Sequence, residues 1–196
     1  MKDNLLYRVL CFIVSVLFYI LFIPRVRGKH NIIKKGRIIF AGNHTKWLDP
    51  ILLMSSNPRQ LHFLAKVEMF DSAFGPVMRG MKMIPVDRRA YDKRNVYKYS
   101  EETLELDNAI CIFPEGTINR TNDTIMPFKL GAVKMAYNTN SKIIPFTITG
   151  KYHLFGIGGR ITIDYYEPIS IKNINKDNKK LMDIIKTNLE EKNRNK

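Results

Sequence analysis

The sequence predicts an α/β protein, a mixed and largely parallel sheet flanked by helices and preceded by an N-terminal membrane-anchoring helix. Short β-branched or apolar runs alternate with segments of helical periodicity, which is the pattern of strands joined by helical crossovers. Several of those runs, such as Ala109 to Phe113, are apolar at every position, as burial on both faces of a parallel sheet requires. An uncharged apolar stretch stands at the N-terminus, outside that alternation.

From Val9 to Ile23 the chain carries no charge, and Ser15 and Tyr19 are its only polar groups. Leu5, Leu6 and Tyr7 lengthen it toward the roughly 20 residues that cross a bilayer. Arg8, the one charged interruption, has a stem long enough to snorkel. Pro24-Arg25-Val26-Arg27-Gly28-Lys29 supplies no small-residue cleavage site, so a retained anchor is expected, either spanning or embedded. Arg25, Arg27, Lys29, Lys34, Lys35 and Arg37 follow the segment, against Lys2 and Arg8 before its centre. This asymmetry places the remainder on the cytoplasmic face of a membrane, with basic groups at the level of anionic headgroups. The expected division is therefore an anchor over 1–27 and a catalytic domain over 28–196.

Strands are predicted over Arg37–Ala41, Leu61–Ala65, Lys82–Val86, Ala109–Phe113, Ile143–Thr149 and Arg160–Tyr165. Helices are predicted over Pro50–Ser55, Tyr91–Leu106 and Pro127–Tyr137. In the Lys- and Asn-rich tail from Lys172, the residues Leu181, Ile184, Ile185 and Leu189 recur at helical spacing, so a last amphipathic helix closes the domain.

At 196 residues, 45% of them hydrophobic, the chain can bury one core. Its formal charge of +14 calls for an anionic surface or partner, since self-repulsion of that size does nothing for the fold. Nucleic acid, anionic lipid and an acidic carrier protein all qualify, but no nucleic-acid-binding motif accompanies the charge, so no nucleic acid is expected. Cys11 and Cys111 lie inside apolar runs without metal-ligand spacing. A disulfide framework and a zinc site are not expected.

Immediately after the first predicted strand of the domain comes Asn43-His44-Thr45-Lys46-Trp47-Leu48-Asp49-Pro50. Asp49-Pro50 is a good helix start on capping grounds alone. On a continuous helix a five-residue spacing would put His44 and Asp49 about 140° apart. The imidazole must therefore lie on the loop, where Asp49 can fix one ring nitrogen and leave the other as a general base. A second loop after the fourth strand carries Glu115, Gly116, Thr117, Asn119 and Arg120, and Gly116 permits close backbone approach to a ligand. Past the strand at Met83–Val86 stands Arg88, of a type suited to bidentate phosphate capture. Ligands of open α/β sheets bind beyond the carboxyl ends of strands, where all three motifs fall.

Taken together, these residues resemble the lysophosphatidic acid acyltransferase family of glycerolipid acyltransferases, over about Gly28 to Thr149. His44 through Asp49 is similar to the family's His-x4-Asp catalytic dyad. Lys66, Glu68, Gly75 and Gly80 lead into Ile84-Pro85-Val86-Asp87-Arg88, similar to the block whose arginine the family uses on the acceptor's phosphate. Phe113-Pro114-Glu115-Gly116-Thr117 matches the block implicated in acceptor binding, and Phe128-Lys129-Leu130-Gly131 and Ile143-Ile144-Pro145-Phe146 resemble the remaining signatures. Family members commonly place arginine directly after the threonine, whereas this chain has Ile118 there and Arg120 two residues on.

The resemblance implies transfer of a fatty acyl group from acyl-carrier protein or acyl-CoA to the sn-2 hydroxyl of 1-acyl-glycerol-3-phosphate, forming phosphatidic acid. His44 and Asp49 would be catalytic, and Arg88, Glu115, Gly116, Thr117, Arg120 and Lys129 would bind substrate, with no metal and no bound cofactor. Lyso-ornithine lipid and glycerol 3-phosphate are alternative acceptors. The readings from other classes are a noncatalytic basic membrane-surface protein and a nucleic-acid-binding module.

Overall fold

A computed structural model describes residues 5–73, 75–81, 83–87 and 94–194, without the side chains of 5–8 and 10. Its elements in chain order are α1 (Leu5–Phe22), β1 (Arg25–Arg27), β2 (Ile38–Gly42), α2 (Asp49–Ser56), β3 (Leu61–Lys66), α3 (Gly75–Gly80), β4 (Ile84–Val86), α4 (Arg94–Glu105), β5 (Ala109–Ile112), α5 (Gly131–Thr139), β6 (Lys142–Thr149), β7 (Thr162–Tyr165), β8 (Ile169–Ser170) and α6 (Ile174–Arg194).

The sheet runs β1-β7-β6-β2-β5-β3-β4, with β8 pairing β6 beside this path. Pairing is parallel from β6 through β4 and between β1 and β7, and antiparallel where β6 meets β7 and β8. The sheet is thus mixed and mostly parallel, as expected. Side chains alternate faces along each strand. On β2, Ile38 and Phe40 enter a core shared with α1 and α2, while Ile39 and Ala41 enter one shared with α4, α5 and α6. Helices therefore cover both faces, and this is why the central strands are apolar throughout.

Each predicted strand forms, with ends shifted by a residue or two; Lys82 lies outside the described residues. Arg25–Arg27, expected as the basic flank of the anchor, instead forms the parallel edge strand beside β7. The helix expected from Pro127 begins only at Gly131, because the Lys129 N–H donates to the Pro114 carbonyl and holds 127–130 as loop. Of the helix expected over Tyr91–Leu106, residues 91–93 lie outside the described residues and Arg94–Glu105 forms α4. In α6, Leu181, Ile185 and Leu189 are buried, as the spacing required, and Ile184 lies at the boundary.

One face of α1 is packed: Phe18 is buried, Cys11, Val14 and Phe22 lie against the same core, and the helix runs along α2. Its other face exposes Val9, Phe12, Ile13, Val16, Leu17, Ile20 and Leu21. Among the described residues no helix is long and apolar enough to cross a membrane.

Candidate active site

Because β2, β5 and β6 are adjacent and parallel, the loops that follow them open on one edge of the sheet, and each supplies part of the site. Gly42 ends β2. A Cβ there would come within 2.4 Å of Phe146, so the chain passes β6 only as glycine. Asn43 continues the pairing with its side chain, accepting from the Ile148 N–H at 2.8 Å and donating to the Ile148 carbonyl at 2.9 Å. The loop that begins at His44 is thereby pinned to β6.

The His44 ring and Asp49 meet at 2.9 Å between Nδ1 and Oδ2. Asp49 is fully buried, and its carboxylate accepts from the Thr45 N–H at 2.5 Å, the Lys46 N–H at 2.9 Å and the Thr45 hydroxyl at 3.0 Å. These bonds draw the carboxylate toward the loop and not toward the helix N-terminus. The helix starts at Asp49 itself and no side chain caps it; the carboxylate turns back into the preceding loop and wraps 44–48 around itself. A buried carboxylate is tolerated only when its lone pairs are filled, and here charge-assisted donors fill them.

The His44 ring stacks on Phe113, with centroids 4.0 Å apart and planes 13° from parallel. Phe113 leads from β5 into the second loop. With Nδ1 donating to Asp49, Nε2 is the acceptor nitrogen, and it has no partner among the described residues.

Glu115 takes a place the spacing did not foretell. It is 2% exposed, and its two oxygens accept from the His44 N–H at 2.8 Å and the Met126 N–H at 2.9 Å. Burial pushes its carboxyl above the ordinary range, against the pull of those N–H groups and of His44. Glu115→Ala leaves the partly buried His44 and Met126 N–H groups without their acceptor, at up to about 1–3 kcal/mol each. The expected result is a fall in Tm together with reduced activity, checked by thermal melts beside initial rates. Since the folded pKa is the raised one, whatever stability its titration contributes is complete below about pH 4.3 and is lost as pH rises through the folded value.

Gly116 adopts φ +75°, and the Lys129 Nζ lies only 2.6 Å from where a Cβ would stand, so Gly116 and Lys129 are brought together. Thr117 and Arg120 are exposed, and their side chains make no hydrogen bond or ion pair among the described residues. Arg88 lies outside the described residues.

Tyr152, in the loop after β6, went unseen in the sequence. Its hydroxyl donates to the Asp49 Oδ1 at 2.5 Å, and its ring packs edge-on against Phe18 and Phe22 of α1. Burial and the adjacent Asp49 charge raise the phenol's pKa far above its usual value, which keeps it protonated as a donor. Tyr152→Phe removes one charge-assisted bond from the carboxylate while keeping the ring. The expected kinetic result is about a tenfold fall in kcat with acceptor KM nearly unchanged.

The fold and the site thus define an α/β protein with a histidine held by a buried aspartate at the carboxyl edge of a mostly parallel sheet. The chain belongs to the acyltransferase family, whose model matches residues 23–149. A probable 1-acyl-sn-glycerol-3-phosphate acyltransferase of Mycoplasma genitalium is 33% identical over 144 residues, 70% of this chain and 53% of that protein. The 1-acyl-sn-glycerol-3-phosphate acyltransferase of Borreliella burgdorferi is 33% identical over 132 residues, 66% of this chain and 52% of its own. The chain spans about half the length of the curated relatives it matches. The crystal structure of the 1-acyl-sn-glycerophosphate (LPA) acyltransferase PlsC from Thermotoga maritima superposes with a TM-score of 0.78, covering 97% of this chain and 83% of that one. At 21% identity this likeness is one of fold.

Proposed function

We propose that the chain acylates the sn-2 hydroxyl of 1-acyl-glycerol-3-phosphate, taking the acyl group from the thioester of acyl-carrier protein or acyl-CoA. The observation that carries this reading is the His44–Asp49 pair, a buried, fully bonded carboxylate on one ring nitrogen and an open nitrogen on the other. The names of the relatives support the substrate.

In this mechanism the His44 Nε2 takes the acceptor's hydroxyl proton as that oxygen bonds to the thioester carbonyl carbon. The tetrahedral adduct collapses with cleavage of the carbon–sulfur bond, and the departing thiolate regains the proton from His44. Asp49 stabilises the transient imidazolium and Tyr152 holds Asp49. Glu115 serves as a positioning residue, tying the His44 loop to the 113–126 loop. Gly116, Thr117, Arg120 and Lys129 are assigned to the acceptor side of the site, and Arg88 to the acceptor's phosphate. Arg88→Ala is expected chiefly to raise acceptor KM, because a ground-state contact is lost; unchanged acceptor kinetics would move the phosphate site elsewhere.

The lipid acceptor is met at a membrane. The outer face of α1 and the exposed Leu154, Phe155 and Ile157, whose turn contacts α1, form an apolar surface suited to embedding in one leaflet. With the basic residues after α1 facing anionic headgroups, the domain is assigned to the cytoplasmic face. Labelled acyl donors offered with a panel of lysolipids test the whole reading. Product only from lyso-ornithine lipid or glycerol 3-phosphate would replace the acceptor, and none from any lysolipid would end the enzymatic assignment.

A further inference from the structure

A cleft of about 610 Å³ opens where β1, β7 and the end of β6 meet, and neither His44 nor Asp49 lines it. Five permanent cations do: Arg25, Arg27, Lys151, Arg160 and Lys192. No carboxylate is in the lining. The buried Asp164, opposite Arg27 in the β1–β7 register, is engaged by Lys192, which also donates to the hydroxyls of Thr147 and Tyr166. Arg25, Arg27, Lys151 and Arg160 have no ion pair and no side-chain hydrogen bond among the described residues. Concentrated cations without counter-charges inside a concave wall focus a positive potential, and the ligand it selects is an anion.

Its position narrows that anion further. Arg25 follows the end of α1 by three residues. Between Lys151 and Arg160 runs the turn that exposes Leu154, Phe155 and Ile157. Apolar side chains therefore stand in the same loop as the cleft's Lys151, His153 and Arg160, an arrangement complementary to a phosphate headgroup with acyl chains beside it. Gly159, at φ +125° and with open space where a Cβ would be, leaves the backbone clear at the lining.

We propose that this cleft is a second lipid site, distinct from the dyad, that takes the phosphate headgroup of an anionic phospholipid. The proposal rests on the reading that α1 and the 154–157 turn enter a leaflet.

The test is binding of the full chain to vesicles of phosphatidylcholine alone or mixed with phosphatidylglycerol. Arg25→Gln/Arg160→Gln is compared with the equal charge change Lys179→Gln/Lys180→Gln on the exposed side of α6. At about 1 kcal/mol for each basic residue near an anionic surface, the cleft pair is expected to lose about 30-fold of the preference for phosphatidylglycerol. The α6 pair loses less than about threefold through screened, distant charge. Lys151→Gln alone loses about fivefold, and binding to phosphatidylcholine vesicles is unchanged throughout.

Equal losses in the two pairs, or no loss in the cleft variants, would overturn the proposal and leave diffuse surface charge as the cause. Inorganic phosphate that abolishes the wild-type preference at matched ionic strength would overturn it in favour of a free phosphate ester. A raised KM for acyl-carrier protein with intact lipid preference would assign the cleft to an acidic protein instead. Wild type that binds neither vesicle would end the membrane reading as well, whereas intact binding to phosphatidylcholine confines a failure to the cleft.

Discussion

His44→Ala is expected to lower acyl transfer by about 10²- to 10⁴-fold while the chain remains folded and vesicle-bound. The chemical loss follows from geometry, since Nε2 is the ring position open to a substrate proton and the variant has nothing to put there. The folding loss is small for reasons equally local. Removing the ring forfeits its stacking on Phe113, about 1 kcal/mol. Asp49 then still receives the Thr45 and Lys46 N–H groups and the hydroxyls of Thr45 and Tyr152, so no buried charge is stranded. Initial rates with labelled donor, beside a thermal melt and vesicle sedimentation, check both halves. Near-normal acylation by the variant would remove His44 from the reaction.

Asp49→Asn should cost about 10³-fold in kcat, a loss that is electrostatic in origin. Oδ2 accepts from the ring nitrogen and from two backbone N–H groups, and those two N–H groups cannot reverse direction. The carboxamide oxygen must stay there. Its NH2 then faces the hydroxyls of Thr45 and Tyr152, which can rotate to accept. The histidine tautomer and the loop survive, but the negative charge opposite the transient imidazolium does not. At an effective dielectric of 20 that charge is worth about 4 kcal/mol at 4 Å, or about 10³ in rate. Asp49→Ala, by contrast, leaves the backbone donors unpaired and should unfold the chain at a lower temperature. The double variant His44→Ala/Asp49→Asn should be no slower than His44→Ala alone, because the carboxylate acts only through the ring. Additive losses would show that Asp49 has a second role.

The dyad was legible because it is local: a strand end, a histidine, and an aspartate and proline that start a helix lie within nine residues, 42–50. The remainder of the site is not local. Tyr152 is 103 residues from Asp49, and a tyrosine after a strand carries no spacing signal. Glu115 was visible as a loop residue, but the direction of its carboxylate depends on where the His44 and Met126 backbones come to rest.

The fold divides along the same line. Buried strands were readable since both their faces need apolar side chains, and α6 since its stripe repeats at helical spacing. Arg-Val-Arg at 25–27 has no such pattern, and it is a strand only because β7 offers an unpaired edge beside it. The N-terminal segment shows the limit most clearly. Its composition alone determined that it is apolar on every face. That one of those faces packs on α2 and steadies Tyr152, leaving the other outward, was decided by tertiary packing, because apolar surface is buried equally well by lipid or by protein.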